Sequence, residues 1–200
     1  MTTLRIPSFL QASCLALSLT GAAAQVTGAE KPFTHPGILH SRTELEFVKA
    51  KVTESQEPWA SAWEELRSHG ISQLDWRPKP VANVVRGPYN RPDIGGTNLM
   101  RDGAAAYSHA IQWYVTVKQP HADKAIEILN AYADTLKSIG GHDARLLAGM
   151  AGITFTNAAE IIRHTDAGWI SATSPSGKRP SRTGALACSC IGRLIRSWAR

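Results

Sequence analysis

Between Gly96 and Trp169 apolar residues recur at helical spacing in three successive blocks, and the side on which they fall changes from block to block. In the first, Ala106, Ala110, Trp113 and Val117 fall on one line while Tyr107, Ile111 and Tyr114 fall on another. A helix apolar on two sides is covered on two sides. The second opens at Pro120, and its Ala122, Ile126, Leu129, Ala133 and Leu136 make the single stripe of an outer helix. The third opens near Asp143 and is apolar nearly all round, with Leu147, Ala151, Ala158 and Ile161 on one line and Leu146, Met150, Ile153 and Ile162 beside it. Alternating inner and outer helices joined by short turns predict stacked antiparallel hairpins in an all-α fold. No run of alternating apolar residues argues for a sheet.

Upstream, Ser41-Arg42-Thr43-Glu44 has capping-box spacing and predicts a helix through about Val52. Pro58 suits the first turn of the next helix, with Trp59, Trp63 and Leu66 as its stripe. From Asp75 to Gly96 the sequence DWRPKPVANVVRGPYNRPDIGG reads as a long loop rich in Pro and Gly. Loops of this length in small domains commonly cover or bind something.

The composition changes the picture at both ends. Arg5, the apolar stretch Phe9–Leu19 and the small-residue run Gly21–Ala24 predict a signal peptide over residues 1–24, hence a periplasmic or secreted protein with no membrane contact after cleavage. The net charge of +6 invites a nucleic-acid reading. From Lys31 to Asp166, however, there are 15 Lys/Arg and 15 Asp/Glu, so the excess belongs to Lys178, Arg179, Arg182, Arg193, Arg196 and Arg200 in the tail. A nucleic-acid face needs its cations on a folded element, so no nucleic acid is expected as a partner. The tail, residues 170–200, has no acidic residue, and its Ser/Arg/Pro/Cys composition reads as a shifted reading frame and predicts disorder. Its Cys188 and Cys190 lie too close to staple a fold and are a weak metal signal.

The segments FTHPGILHSRTELEFVKAKV, EPWASAWEEL, NLMRDGAAAYSHAIQWYVT, ADKAIEILNAYADTLKSI and FTNAAEIIRHTDAGW, in that order over about Phe33–Trp169, resemble the N-terminal half of the alginate lyase-type family of bacterial polysaccharide lyases. The resemblance implies an incomplete (α/α) toroid over 33–169, and β-elimination on alginate or another polyuronate without a cofactor. That chemistry needs a group to neutralise the C5 carboxylate, a base for the adjacent proton and an acid for the leaving oxygen. In the family an amide-and-imidazole pair and a Tyr supply these from positions beyond Trp169. Residues 170–200 hold no Asn, His or Tyr, so the chain is expected to be truncated and inactive, with its catalytic residues unknown.

The resemblance places Arg86, Tyr89, Asn90, Arg91 and Asn98 in a loop that approaches the substrate, where Arg suits uronate carboxylates and Asn and Tyr suit sugar hydroxyls. Gln112 and Trp113 are added as residues facing the toroid centre, with core packing the stronger reading for Trp113. Glu160 and His164 stand at i,i+4 spacing, but two ligands make no site and no third is evident, so no metal is expected. His35, His40, His109, His121 and His142 are scattered without ligand spacing. A competing expectation is a non-catalytic helical module that binds a glycan or a protein.

Overall fold

The computed structural model describes residues 33–169, so the signal-peptide and tail expectations lie outside the described residues. The chain forms α1 (Arg42–Thr53), α2 (Trp59–Ser68), β1 (Asn83–Arg86), β2 (Asp93–Ile94), α3 (Gly96–Thr116), α4 (Gln119–Thr135), β3 (Ser138–Gly140) and α5 (Ala144–Arg163). The capping box opens α1 as its spacing requires. The Glu44 amide donates to Ser41 Oγ at 3.2 Å and the Ser41 amide donates to Glu44 Oε2 at 2.7 Å. The Ser41 amide and the Ser41 hydroxyl both donate to the Glu44 carboxylate, which favours its ionised form and holds the carboxyl below its usual range.

The central element is α3, which packs against α1, α4 and α5. Its expected two-sided pattern is used on both sides: Ala106, Ala110, Trp113 and Tyr114 are buried, with Tyr107 and Ile111 half-buried. Val117 is instead the exposed, left-handed residue that stops the helix. Close approach to α5 depends on Gly103, where a Cβ would lie 2.4 Å from Thr154 Oγ1 and 2.9 Å from the Phe155 ring. α4 buries Ala122, Leu129 and Ala133 of the expected stripe, with Lys124, Ala125, Ile128 and Tyr132 beside them, while Asp123, Glu127 and Asp134 face solvent. On α5, Leu147, Ala151, Ala158, Ile161 and Ile162 are buried, whereas Leu146, Met150 and Ile153 are exposed along one side. No helix among the described residues is long and apolar enough to cross a membrane.

Helices dominate as expected, but the expectation of no sheet is corrected. β1 pairs antiparallel with β2 through Arg86 and Asp93, and parallel with β3 through Asn83–Ser138, Val84–Ile139 and Val85–Gly140. Strands of four, two and three residues are too short to display alternation, and β3 comes from the α4–α5 connection. Val84, 1% exposed, nails this sheet to the helical core, so half of the long loop is in fact anchored backbone. The rest is held by Asp102, whose carboxylate accepts from Trp76 Nε1 at 2.9 Å, the Lys79 amide at 2.8 Å and the Tyr132 hydroxyl at 2.7 Å.

Candidate functional site

The sequence-derived candidates separate into two groups at opposite ends of α3. Arg86, Tyr89, Asn90 and Arg91 lie on the β1–β2 hairpin, which the Gly87 amide closes onto the Pro92 carbonyl at 2.9 Å, and Asn98 lies in the first turn of α3. Tyr89 is 96% exposed in a left-handed conformation, and the Asn90 side-chain amide donates to Asp93. Asp93 also accepts from the Thr97 hydroxyl and amide, and these bonds hold its carboxyl below the usual range. Arg86 lies half-buried at the hairpin base, with Nη1 3.7 Å from Met100 sulfur and Nε buried without a hydrogen-bond partner. Its guanidinium is therefore held by packing, with little of it offered outward. The groups available to a ligand here are Tyr89 and Arg91.

Gln112 and Trp113 lie fourteen residues along the helix from Asn98, roughly 20 Å away at the helical rise. Gln112 is 3% exposed, and its amide donates to the Ser72 carbonyl at 3.1 Å. Its assignment to substrate contact is thereby corrected: the amide is spent inside the fold, fixing the turn after α2. Trp113 is 6% exposed and donates from Nε1 to Thr165 Oγ1 at 2.9 Å, which joins the end of α3 to the segment after α5.

Trp113 does reach the wall of an open cleft of about 410 Å³. Arg42, Glu46 and Lys49 of α1 line one side, Tyr114 and Val117 continue the floor, and His164, Thr165 and Asp166 close the far side. The α1 residues fall at i, i+4 and i+7, a spacing visible in the sequence but indistinguishable there from an ordinary solvated helix face. The Tyr114 hydroxyl donates to Glu46 Oε1 at 2.7 Å, and Lys49 Nζ stands 5.9 Å from the Tyr114 ring centre. Burial, reinforced by the bond to Glu46, pushes the Tyr114 phenol up to about 12. It remains protonated, a hydrogen-bond donor and no base at neutral pH.

At the rim of this cleft a third side chain joins the Glu160–His164 pair. His35 Nδ1 lies 2.5 Å from Glu160 Oε1, and His164 Nε2 lies 3.6 Å from Glu160 Oε2. The two imidazoles stack with centroids 3.9 Å apart and planes 7° apart. Arg42 donates through Nε and Nη2 to the His35 carbonyl, at 3.2 and 2.8 Å, and through Nη2 to the His164 carbonyl at 3.1 Å. Burial lowers the pKa of His164, with the Glu160 charge working in the opposite direction. The third residue absent from the i,i+4 pair is thus His35, 125 positions before Glu160. His109 and His121 are also brought together, with Nδ1 atoms 3.1 Å apart, whereas His142 bonds its neighbour Asp143.

No protein-family model, curated protein or solved structure matches this chain. The chemistry must be read from the geometry. The cleft brings Arg42 and Lys49 together with the carboxylates of Glu46 and Asp166, the Trp113 and Tyr114 rings and the His164 imidazole, a mixed polar and aromatic lining that can hold a hydroxyl-rich ligand, with the Lys49 ammonium as the cation left to meet an acidic group on it.

Proposed function

We propose that this chain is a secreted uronate-polymer lyase of alginate-lyase type in architecture, in which residues 33–169 hold the polymer and do not themselves complete the elimination. The observation that carries the reading is the cleft lined by Arg42, Lys49, Trp113 and Tyr114, in which Lys49 Nζ stands 5.9 Å from the Tyr114 ring centre. A uronate residue presents a carboxylate, several hydroxyls and an apolar ring face. A guanidinium and an ammonium suit the first, and the edges and faces of aromatic rings suit the last. In this reading α3 and α5 are inner helices and α4 an outer helix of an (α/α) toroid. The exposed stripe Leu146, Met150 and Ile153 is then a face onto which further hairpins pack.

The alternative, a binding module without chemistry, draws support from the same cleft. Tyr114 is held protonated and bonded to Glu46, so it is disposed as an acid or a donor and cannot abstract the C5 proton. Both readings expect an oligouronate to bind. Calorimetric titration with oligomannuronate or oligoguluronate should show binding to the wild-type chain that weakens about tenfold or more in the Arg42→Ala, Lys49→Ala double variant, by loss of charge-assisted bonds. Equal affinity in the two proteins removes the cleft from the site. Tyr89→Ala, Arg91→Ala then tests the hairpin in its place. Ultraviolet absorbance of unsaturated uronate separates the two readings: steady product formation by the chain as it stands would place a complete acid–base set within it.

A further inference from the structure

We propose that His35, Glu160 and His164 form a binding site for one divalent transition-metal ion of the zinc or cobalt type, with its remaining coordination positions open to solvent at the rim of the cleft. The inference rests on the geometry of these side chains alone and holds or fails independently of the uronate reading.

One donor atom from each of the three residues can be chosen so that all lie within 4.8 Å of one another. Ligand atoms about 2.0–2.1 Å from a tetrahedral zinc ion are spaced about 3.4 Å apart, so the donor atoms are already near enough to share one centre once their lone pairs are aimed at it. In the present arrangement the imidazole planes are nearly parallel, and their in-plane lone pairs do not converge. One ring must turn, and His35 is the one free to do so. Its side chain is 44% exposed and comes from the segment preceding α1, while Glu160 and His164, at 11% and 28%, are fixed on and just after α5. Arg42 bonds the carbonyls of both histidines, setting their backbones at a common distance before any ion arrives. A carboxylate between two imidazoles neutralises part of the ion's charge. Two nitrogen ligands favour zinc, cobalt, nickel or copper over magnesium and calcium, which prefer all-oxygen sets.

The bound ion would cross-link the segment before α1 to the C-terminal end of α5. It would also place a Lewis-acidic position beside His164, which lines the cleft. Three protein ligands and an open side form the arrangement of exchangeable ion sites, as distinct from closed four-ligand structural ones.

The test uses the full chain with Cys14→Ser, Cys188→Ser and Cys190→Ser, so that thiolates cannot compete, after treatment with chelator and dialysis. Titration with cobalt(II) should develop visible ligand-field bands that saturate at one equivalent, and zinc should displace them. Zinc should raise the melting temperature of this parent. His35→Asn and Glu160→Gln, both at positions where the unliganded fold loses little, should weaken cobalt binding roughly tenfold or more and abolish the thermal shift. Absence of saturable bands in the parent overturns the proposal. So does undiminished binding in the two variants, which would put the ion elsewhere, for instance on His109 and His121.

Discussion

Asp102 and Glu160 are both carboxylates that tie distant parts of the chain to a helix, yet they are built for opposite purposes. Asp102, 1% exposed, accepts from an indole, a backbone amide and a phenol, none of which changes charge near neutral pH. Glu160 faces two imidazoles, one of them 44% exposed. The first carboxylate is a strut, because it is itself buried and its three bonds fasten the loop after α2 and the side of α4 to α3. The second is exchangeable: its partners are part-exposed side chains, and water can take either histidine's place. A charged group in a polar cluster marks a functional site when its partners can be replaced, and a structural one when they cannot.

The largest test of this contrast is Asp102→Ala. It removes the shared acceptor of the Trp76 indole, the Lys79 amide and the Tyr132 hydroxyl, and should cost about 3 kcal/mol in denaturant unfolding, as expected for losing bonds to a buried carboxylate of which two come from part-buried donors. Asp102→Asn keeps the volume but offers only one acceptor oxygen and should cost about half as much. A loss below about 1 kcal/mol for Asp102→Ala would show that water reaches the cluster, and the strut reading would fail.

The two histidine pairs extend the contrast to pH. His109 is fully buried beside His121 with no carboxylate between them, and desolvation, then the His121 charge, then Lys124, push its pKa down to about 4. A histidine whose folded pKa lies below its unfolded value contributes stability that is fully present above about pH 6.5 and is lost as pH falls toward about 4. His121 is displaced in the same direction, by burial and then the Lys118 charge. Stability should therefore fall by up to about 3 kcal/mol across that window, and His109→Gln should flatten the slope. A slope unchanged in His109→Gln would assign the acid sensitivity to other groups.

Local patterns made most of this fold legible. The capping box at Ser41 and Glu44, the apolar stripe of α4 and the inner line Leu147, Ala151, Ala158 and Ile161 each depend on neighbours within one or two turns, and each was readable in advance. The sheet was not, because its pairing joins Val84 to Ile139 across two helices, and neither strand is long enough to alternate. The site was legible only in part. Trp113 was correctly weighed toward packing, but the α1 residues beside it resembled a solvated face. His35 could not be matched to Glu160 and His164 because nothing in a single sequence signals proximity across 125 positions. Asp102 gave no sign either, since an Asp within a helix reads as an exposed one until its three donors are known.

The smallest expected effect lies at the exchangeable carboxylate. In the metal-free chain, Glu160→Gln removes an interaction with two partly solvated imidazoles, and partly exposed ion pairs of this kind contribute about 0.5 kcal/mol. Denaturant midpoints for variant and wild type should almost coincide, in contrast to Asp102→Ala. The titration of His164 should still move, because Glu160 is the one charge around it that raises its pKa, against burial, His35, Arg163 and Arg42. With the carboxylate neutralised, the His164 resonance in a proton NMR titration should reach its midpoint at lower pH than in the wild type. A large stability loss with an unmoved His164 midpoint would make Glu160 a strut like Asp102 and erase the distinction between the two clusters. Small loss with a clear downward shift would leave Glu160 as the group that holds the two imidazoles together by charge, the condition an incoming ion would exploit.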